Sequence, residues 1–345
     1  MSDLRATRPE EADRIRAFLA RVFRAPQESP AWNPRMLSWK YYEPRPDWEG
    51  SRSYVLEAEG GYASHGCVWP VTFASASKEI RAAQVIDWAA DPAMPGAGVL
   101  LRRRVQDLAP VSLAIGGSDA TRKVLPRAGY ATRGMYRTFV RVVRPFRQFL
   151  QRHDGPLWKR LARTARNTAW SFASMPEEET VWRAEPVDRF EESDTAQFGF
   201  DFDFLAPRRT AELLNYLLRC PAAGMKGYRL TRANRLMGTL LLSQLGGQTR
   251  LADVQVHSGD PEDWYGAASA ATHTAAKLRE TCEIAAHSSL ELLSAALSAC
   301  GYRERYDQPV FVSDPEEILP ELPLHVTPVD YDDFFAFDPS FPFAS

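Results

Sequence analysis

The sequence predicts an α/β (α+β) protein made of two related units in tandem, each a mixed central sheet flanked by helices. Three observations carry this. A helix end, a Gly-Tyr corner and a strand occur twice, at Lys123–Val140 and at Ser294–Val312. An apolar strand bearing an aspartate precedes each copy: Gln84–Asp91 with Asp87, and Leu251–Asp260 with Asp253. The spacing also matches, with 42 residues from Asp87 to Gly129 and 48 from Asp253 to Gly301.

The elements follow in order. Residues 3–8 read as a strand. A helix from Pro9 to Phe23 starts with proline at a first helical position and Glu10, Glu11 and Asp13 at the positive end of the dipole. Its buried stripe is Ile15, Phe18, Leu19, Val22 and Phe23. A loop rich in Pro and Trp spans Pro26–Pro46. Two β-rich runs, Ser53–Glu57 and Tyr62–Val71, meet at Gly60-Gly61 as a hairpin. Strand 84–90, a turn at Pro95–Gly98 and a helix carrying Leu100, Leu101, Val105 and Leu108 come next. Strand Val111–Ile115 leads to Ser118, an N-cap, and a helix ending at Gly129.

Residues 141–166 carry eight Arg and Lys against one acid, Asp154. Trp158, Leu161, Ala162, Ala165, Ala169 and Phe172 fall on one helical face. This reads as a basic connecting helix, and acids from Glu177 to Asp194 then open the second unit. That unit has a helix at Thr210–Leu218, a hairpin of Gly227–Thr231 with Met237–Ser243, strand 249–256, helix Trp264–Leu278, strand Cys282–Ala286 and helix Ser289–Ala299. The expected division is 1–143, a linker 144–180, 181–329, and an acidic-aromatic tail 330–345 that is apolar enough to pack back on the body.

At 345 residues the chain exceeds the usual single-domain size. Hydrophobic content of 45% and charged content of 25% fit a globular protein, and a net charge of −2 gives no global drive toward nucleic acid or anionic lipid. The four cysteines (Cys67, Cys220, Cys282, Cys300) form no CxxC pair and no metal-ligand spacing, so no metal is expected. A charged N-terminus without an apolar core region, and no run of about 18 apolar residues, point to a cytoplasmic protein without a transmembrane segment.

This order of helix, hairpin, central strand, Gly turn opening a helix, and strand–helix–Gly-aromatic–strand resembles the GNAT N-acetyltransferase superfamily, present as two copies. It is similar to tandem GNAT proteins of bacterial polysaccharide gene clusters, which carry a segment like Trp39-Lys40-Tyr41. The resemblance implies an acyl-CoA-dependent, expectedly acetyl-CoA-dependent, N-acyltransferase acting on an amine such as an amino sugar. The superfamily motif, Arg/Gln-x-x-Gly-x-Gly/Ala, holds pyrophosphate on backbone N–H groups at a helix N-terminus. Here Gly96, Ala97, Gly98, Val99, Leu100 and Leu101 occupy that place, with Gly98 matching and Pro95 and Leu100 departing. In the second copy Asp260, Glu262 and Asp263 stand there and would repel phosphate, so the first copy is expected to bind the cosubstrate.

Acyl transfer to an amine needs a base and an acid. Asp87 on the central strand is the expected base. His65, beside it on the hairpin strand and titrating near neutrality, is a second candidate. Cys67 follows on the same strand face at about 7 Å, too far for a direct Cys–His bond. The tyrosine that often supplies the acid is replaced by Leu125 and Leu297. Trp39, Lys40, Tyr41 and Arg45 form an aromatic and basic loop expected to roof the acceptor site. Two alternatives stay open: a non-catalytic degenerate tandem GNAT acting in binding or assembly, and a FemABX-like transferase that draws on aminoacyl-tRNA, for which the Arg-rich segment speaks.

Overall fold

Both copies of the motif read in the sequence close their last helix with the same backbone device. Gly129 and Gly301 have φ of 86° and 78°, a left-handed conformation that only glycine adopts without strain. In each, the tyrosine that follows turns its N–H back to the leucine carbonyl five residues earlier: Tyr130 to Leu125 and Tyr302 to Leu297, both at 3.1 Å. Tyr130 and Tyr302 are buried, and each phenol reaches a hydroxyl, Ser112 at 2.6 Å and Thr272 at 3.1 Å.

The computed structural model describes residues 4–25, 32–76, 78–152, 155–172, 176, 181–196, 199–338 and 342–345. The first half contains β1 (Arg5–Ala6), α1 (Ala12–Phe23), α2 (Pro34–Leu37), β2 (Ser53–Ala58), β3 (Gly61–Ala74), β4 (Glu79–Ala90), α3 (Ala97–Gln106), β5 (Val111–Ile115), α4 (Asp119–Val124) and β6 (Ala131–Val142). Two helices, α5 (Pro145–Gln151) and α6 (Leu157–Ser171), lead onward. The second half contains β7 (Trp182–Val187), β8 (Ala206–Pro207), α7 (Ala211–Leu218), β9 (Gly224–Arg232), β10 (Arg235–Leu245), β11 (Gln248–Val256), α8 (Pro261–Lys277), β12 (Glu283–Ser288), α9 (Glu291–Ala299) and β13 (Arg303–Ser313).

Several elements differ from their expected form, each for a local reason. Pro9–Glu11 is a 3-10 turn, with Glu11 bonded back to the Arg8 backbone, so α1 begins only at Ala12. The loop expected over Pro26–Pro46 holds α2, capped by Asn33, and a π-helical turn at Ser38–Tyr42; its residues 26–31 lie outside the described residues. The basic segment is not one helix. Arg141 belongs to β6, and Gly155-Pro156 separates α5 from α6. Among the acids expected to open the second unit, Glu177–Glu179 lie outside the described residues.

The strands join in one sheet, in the order β1-β2-β3-β4-β5-β13-β6-β12-β11-β10-β9-β7, with β8 pairing on β3. Read from either end, this order runs through one half and ends on exchanged strands. β13 of the second half pairs with β5, Val310 opposite Ile115 and Ser313 opposite Ser112. β6 of the first half pairs with β12, Phe139 opposite Ala286. The two exchanged strands pair with each other from Arg303 opposite Val140 to Val312 opposite Ala131.

Side-chain alternation along each strand divides the core by face. In the first half, Ile15, Phe18 and Leu19 of α1 pack on Ala82, Ile86 and Leu113. On the opposite face, Leu101 and Val105 of α3 pack on Ala83 and Val85, and Leu125 packs with Ala114 and Tyr130. Phe23 departs from the predicted α1 stripe: it is 45% exposed and stacks on Trp32 at 5.7 Å. Aromatics after β13, Phe334 and Phe335, are buried in the first-half core, and Phe343 is buried as well.

Because each half supplies a strand to the other, the halves are expected to melt together. Scanning calorimetry should give one cooperative transition, and two resolved transitions would contradict the exchange. Phe139→Ala, at a 1% exposed position on β6, should cost about 3–5 kcal/mol in denaturant unfolding.

Candidate active site

β4 and β5 run parallel but pair only from Ala82 opposite Val111 to Gln84 opposite Leu113. Beyond that point they part. On its other edge β4 carries a bulge: Cys67 faces Ile86 and His65 faces Ala89, so Asp87 and Trp88 together oppose Gly66. Asp87 sits at φ 50°, a left-handed conformation that aspartate tolerates better than most residues. Gly66 permits the close approach there, since a Cβ on it would lie 2.8 Å from Val85 and 2.9 Å from Leu101.

The parting of the strands opens a cavity of about 500 Å³. Gln84, Ile86, Lys40 and Phe335 line it on the α1 face, and Val85, Arg102 and Leu125 line it on the α3–α4 face. It therefore passes through the sheet. Lys40 Nζ lies 2.5 Å from Asp87 Oδ2, and Tyr41 Oη donates to the same oxygen at 2.7 Å. The π-helical turn widens the backbone locally and presents both consecutive side chains to one carboxylate. Lys40 is fully buried, with Trp32 and Phe335 rings each 5.6 Å from its ammonium. Burial, aided by the Asp87 charge, pushes the Tyr41 phenol well above its usual range, so it stays protonated.

His65 lies beneath this pair and does not line the cavity. It is fully buried, Nε2 bonded to Ser53 Oγ at 2.9 Å and Nδ1 to the Asp87 carbonyl at 3.2 Å. Thr7 Oγ1 donates to Ser53 Oγ at 2.7 Å. With Ser53 donating in turn to Nε2, the ring carries its proton on Nδ1 and holds the carbonyl of the bulge. Burial lowers His65 to about 4, against the opposing pull of Asp87, so the imidazole is neutral at pH 7. Cys67 is buried likewise, its thiol pushed up to about 12 by burial first and by the Asp87 charge, which leaves it an inert thiol.

The other expected residues divide. Trp39 stacks on Tyr216 at 4.9 Å and donates to its carbonyl, in the core away from the cavity. Arg45 pairs with Asp47 at 2.7 Å, lies over Trp69 at 4.2 Å, and lines a separate cavity of about 610 Å³ with Asp188 and Arg219. Gly96, at φ 86°, caps α3, and Ala97 and Leu101 are buried under it. Gly98, Val99 and Leu100 are half-buried. The cavity touches the residues on either side of this turn, Trp88 and Arg102. The Trp88 indole donates to the Gly98 carbonyl at 3.0 Å, tying the helix start to the bulge.

Two cavity residues carried no clear sequence signal. Arg102 is 1% exposed, donates to the Leu113 carbonyl, and stacks over Tyr130 at 4.9 Å; its Nε has no partner. It lies one residue beyond the buried Leu101 on α3, within a run of three arginines that reads as a solvated face. Asp332 arrives from the segment after β13, whose aromatic content signalled packing but not location. Its carboxyl is raised to about 7 by burial first and by the Asp87 and Asp333 charges, with Lys40 pulling the other way.

The second half places Asp253 where the first places Asp87, and the space beside it is filled. Arg209 grips Asp253 with two bonds of 3.0 Å, Thr327 Oγ1 donates at 2.7 Å, and Asp330 meets Arg209 at 2.7 Å. Burial pushes the Asp253 carboxyl up, but the Arg209 charge and these hydrogen bonds outweigh it and hold the group below its usual value. At the start of α8, Asp260 caps the helix and Asp263 pairs with Arg232 at 2.6 Å.

The fold as a whole has matches among solved structures. The fold is that of the GCN5-related N-acetyltransferases. The chain is similar to such a protein from Anabaena variabilis, with a TM-score of 0.58 at 12% identity over 90% of this chain and 72% of that one. It is similar to another from Kribbella flavida, with a TM-score of 0.54 at 12% identity over 90% and 71% of the two chains. Saccharomyces cerevisiae N-myristoyltransferase with bound myristoyl-CoA gives a TM-score of 0.54 at 11% identity over 90% and 82%. No protein-family model matches the sequence, and no curated protein does. Among the described residues there is no group of three or more His, Cys, Asp or Glu able to hold a metal ion, and no helix long and apolar enough to cross a membrane.

The burial of His65 sets a pH dependence. Unfolded, the ring titrates near 6.5; folded, near 4. Between these values only the unfolded state binds the proton, so the contribution is complete above about pH 6.5 and is lost as pH falls toward 4, by about 3 kcal/mol. His257, His287 and His325, also held down by burial, contribute with the same sign, so denaturant unfolding across this window should show a shallower slope in His65→Gln than in the parent.

Proposed function

We propose that the protein is an acyl-CoA-dependent N-acyltransferase whose active centre is the cavity through the sheet at Asp87. The observation that carries this reading is the contrast between the halves: one keeps an open, charged passage at the parted strands, and the other fills the same place with Arg209, Thr327 and Asp330. In this reading the acyl-CoA arm enters on the α3–α4 face and the amine acceptor on the α1 face. At about 500 Å³ the cavity is in the usual range for a small-ligand site.

The residues divide the work. The Asp332 carboxylate, titrating near 7, accepts the proton of the incoming ammonium, since a base poised near the working pH is the most effective. The freed amine nitrogen bonds to the thioester carbon as the carbon–sulfur bond breaks. The second amine proton passes to the leaving thiolate, giving amide and free CoA thiol. The Lys40 ammonium, fixed on Asp87, faces the charge that develops. His65 and Tyr41 act as positioning residues for Asp87. Arg102 donates to a carbonyl of the pantetheine arm, and the first turn of α3 at Gly96–Leu101 receives its pyrophosphate. An amino sugar or other envelope precursor is the proposed acceptor class, with acetyl the first acyl group to try.

A second reading, a binding protein without turnover, is favoured by Leu125, an apolar side chain lining the cavity where a protonating tyrosine is often found. Turnover separates the two readings, since binding is common to both.

Titration calorimetry with acetyl-CoA and longer acyl-CoAs should give a dissociation constant on the order of micromolar. Gly98→Glu should abolish it, because a Cβ there already meets Ala90 at 3.1 Å and the new carboxylate would oppose phosphate. No heat with any acyl-CoA would overturn the reading. In a turnover assay Asp332→Asn should lower kcat by about 10²–10⁴ and remove the limb of the pH profile near 7. Full activity in that variant would remove Asp332 from the base role.

A further inference from the structure

The amphipathic helix α6 faces the wrong way for a globular protein. Its polar side points inward: Asn167 is 2% exposed and donates to Gln148 of α5 at 2.8 Å, and Arg160 donates to the Phe149 carbonyl at 3.0 Å. The residues opposite Asn167 on the helix are its apolar ones, and they face solvent. Trp158 is 66% exposed, Leu161 53% and Phe172 81%. Ala162, Ala165 and Ala169 complete that face and are exposed too. On α5, Phe146 and Leu150, one turn apart and opposite the buried Gln148, are 68% and 56% exposed. Leu157, where the two helices meet, is 60% exposed. Six of the nine large apolar side chains found exposed among the described residues thus belong to one helix pair. Such a concentration marks an interaction surface.

We infer that the α5–α6 pair is a docking surface for an anionic lipid bilayer. The charge around the apolar face chooses the partner. Residues 145–172 contain six Arg and Lys against Asp154 alone, in a chain of net charge −2. Lys159 is exposed beside Trp158, its ammonium 5.4 Å from the ring. Arg166 also flanks the apolar face, where the charges of Arg305, Arg163 and the buried Arg152 act on it and Glu283 acts the other way. A helix with Trp, Leu and Phe on one face and cations along its flanks seats its apolar side chains among acyl chains and its cations against lipid phosphates. A second copy of the chain would bring like charges together at this face. Nucleic acid would leave Phe146, Leu150 and Leu161 without an apolar contact.

The test is flotation of the full chain with two kinds of vesicle, pure phosphatidylcholine and mixed phosphatidylcholine–phosphatidylglycerol. Binding is expected to the mixed vesicles only and to weaken with added salt. Trp158→Gln with Leu161→Gln should reduce it at least about ten-fold, while thermal unfolding is unchanged because both positions are exposed. Lys159→Glu should also weaken it, at an intact apolar face. The inference is overturned if the protein does not float with mixed vesicles, or if the double variant floats as well as the parent. It is also overturned if the same substitutions abolish a dimer seen by sedimentation velocity or the binding of tRNA, while vesicle binding is absent.

Discussion

The exchange of β6 and β13 is the constraint on which the rest of the molecule depends. Each strand completes the sheet of the half that did not produce it, so neither half has a finished edge alone. It places the chain after β13 on the first half, although it follows the second in sequence. From there residues 323–336 run past both aspartates: His325 bonds the Val254 carbonyl, Thr327 reaches Asp253, and Asp332 comes to the cavity at Asp87. A filling for one site and a wall for the other are therefore made from one segment.

The electrostatics of the two sites follow from what each aspartate is given. Asp253 has a bidentate guanidinium and hydroxyl and amide donors in a fully buried setting, a satisfied network with nothing left to offer a ligand. Asp87 has an ammonium and a phenol on one oxygen, beside a half-buried third group, Asp332, that titrates near 7. Crowding two carboxylates about one lysine is costly for folding alone, and such arrangements cluster where chemistry is done.

Much of this was legible in the residues, because it is written in local terms. The Gly-Tyr corners, the Gly60-Gly61 hairpin and the aspartate-bearing strands are short-range patterns with short-range causes. The bulge at Asp87 was not legible, and Lys40 and Tyr41 were read only as part of a loop over the acceptor site, without the π-helical turn that brings both to one carboxylate. The exchange of strands was not legible either, since β6 and β13 carry the same apolar pattern whichever neighbour they meet. Asp332 and Arg102 were hidden for a related reason: their importance comes from burial against distant elements, and their own neighbours in sequence are acids and arginines of a kind that usually face water. His65 was read for its titration, and burial has removed that titration from the neutral range.

The exchanged strands also impose an order in time. When residue 142 leaves the ribosome, β5 has no partner on its far side, and β13 follows only after about 170 more residues. At ordinary rates of synthesis that is a wait of roughly ten to thirty seconds with an apolar strand edge uncovered. The first half is made first and finished last. Its cavity acquires a wall only when Asp332 has been made, so during synthesis no partly built chain carries the complete charged passage.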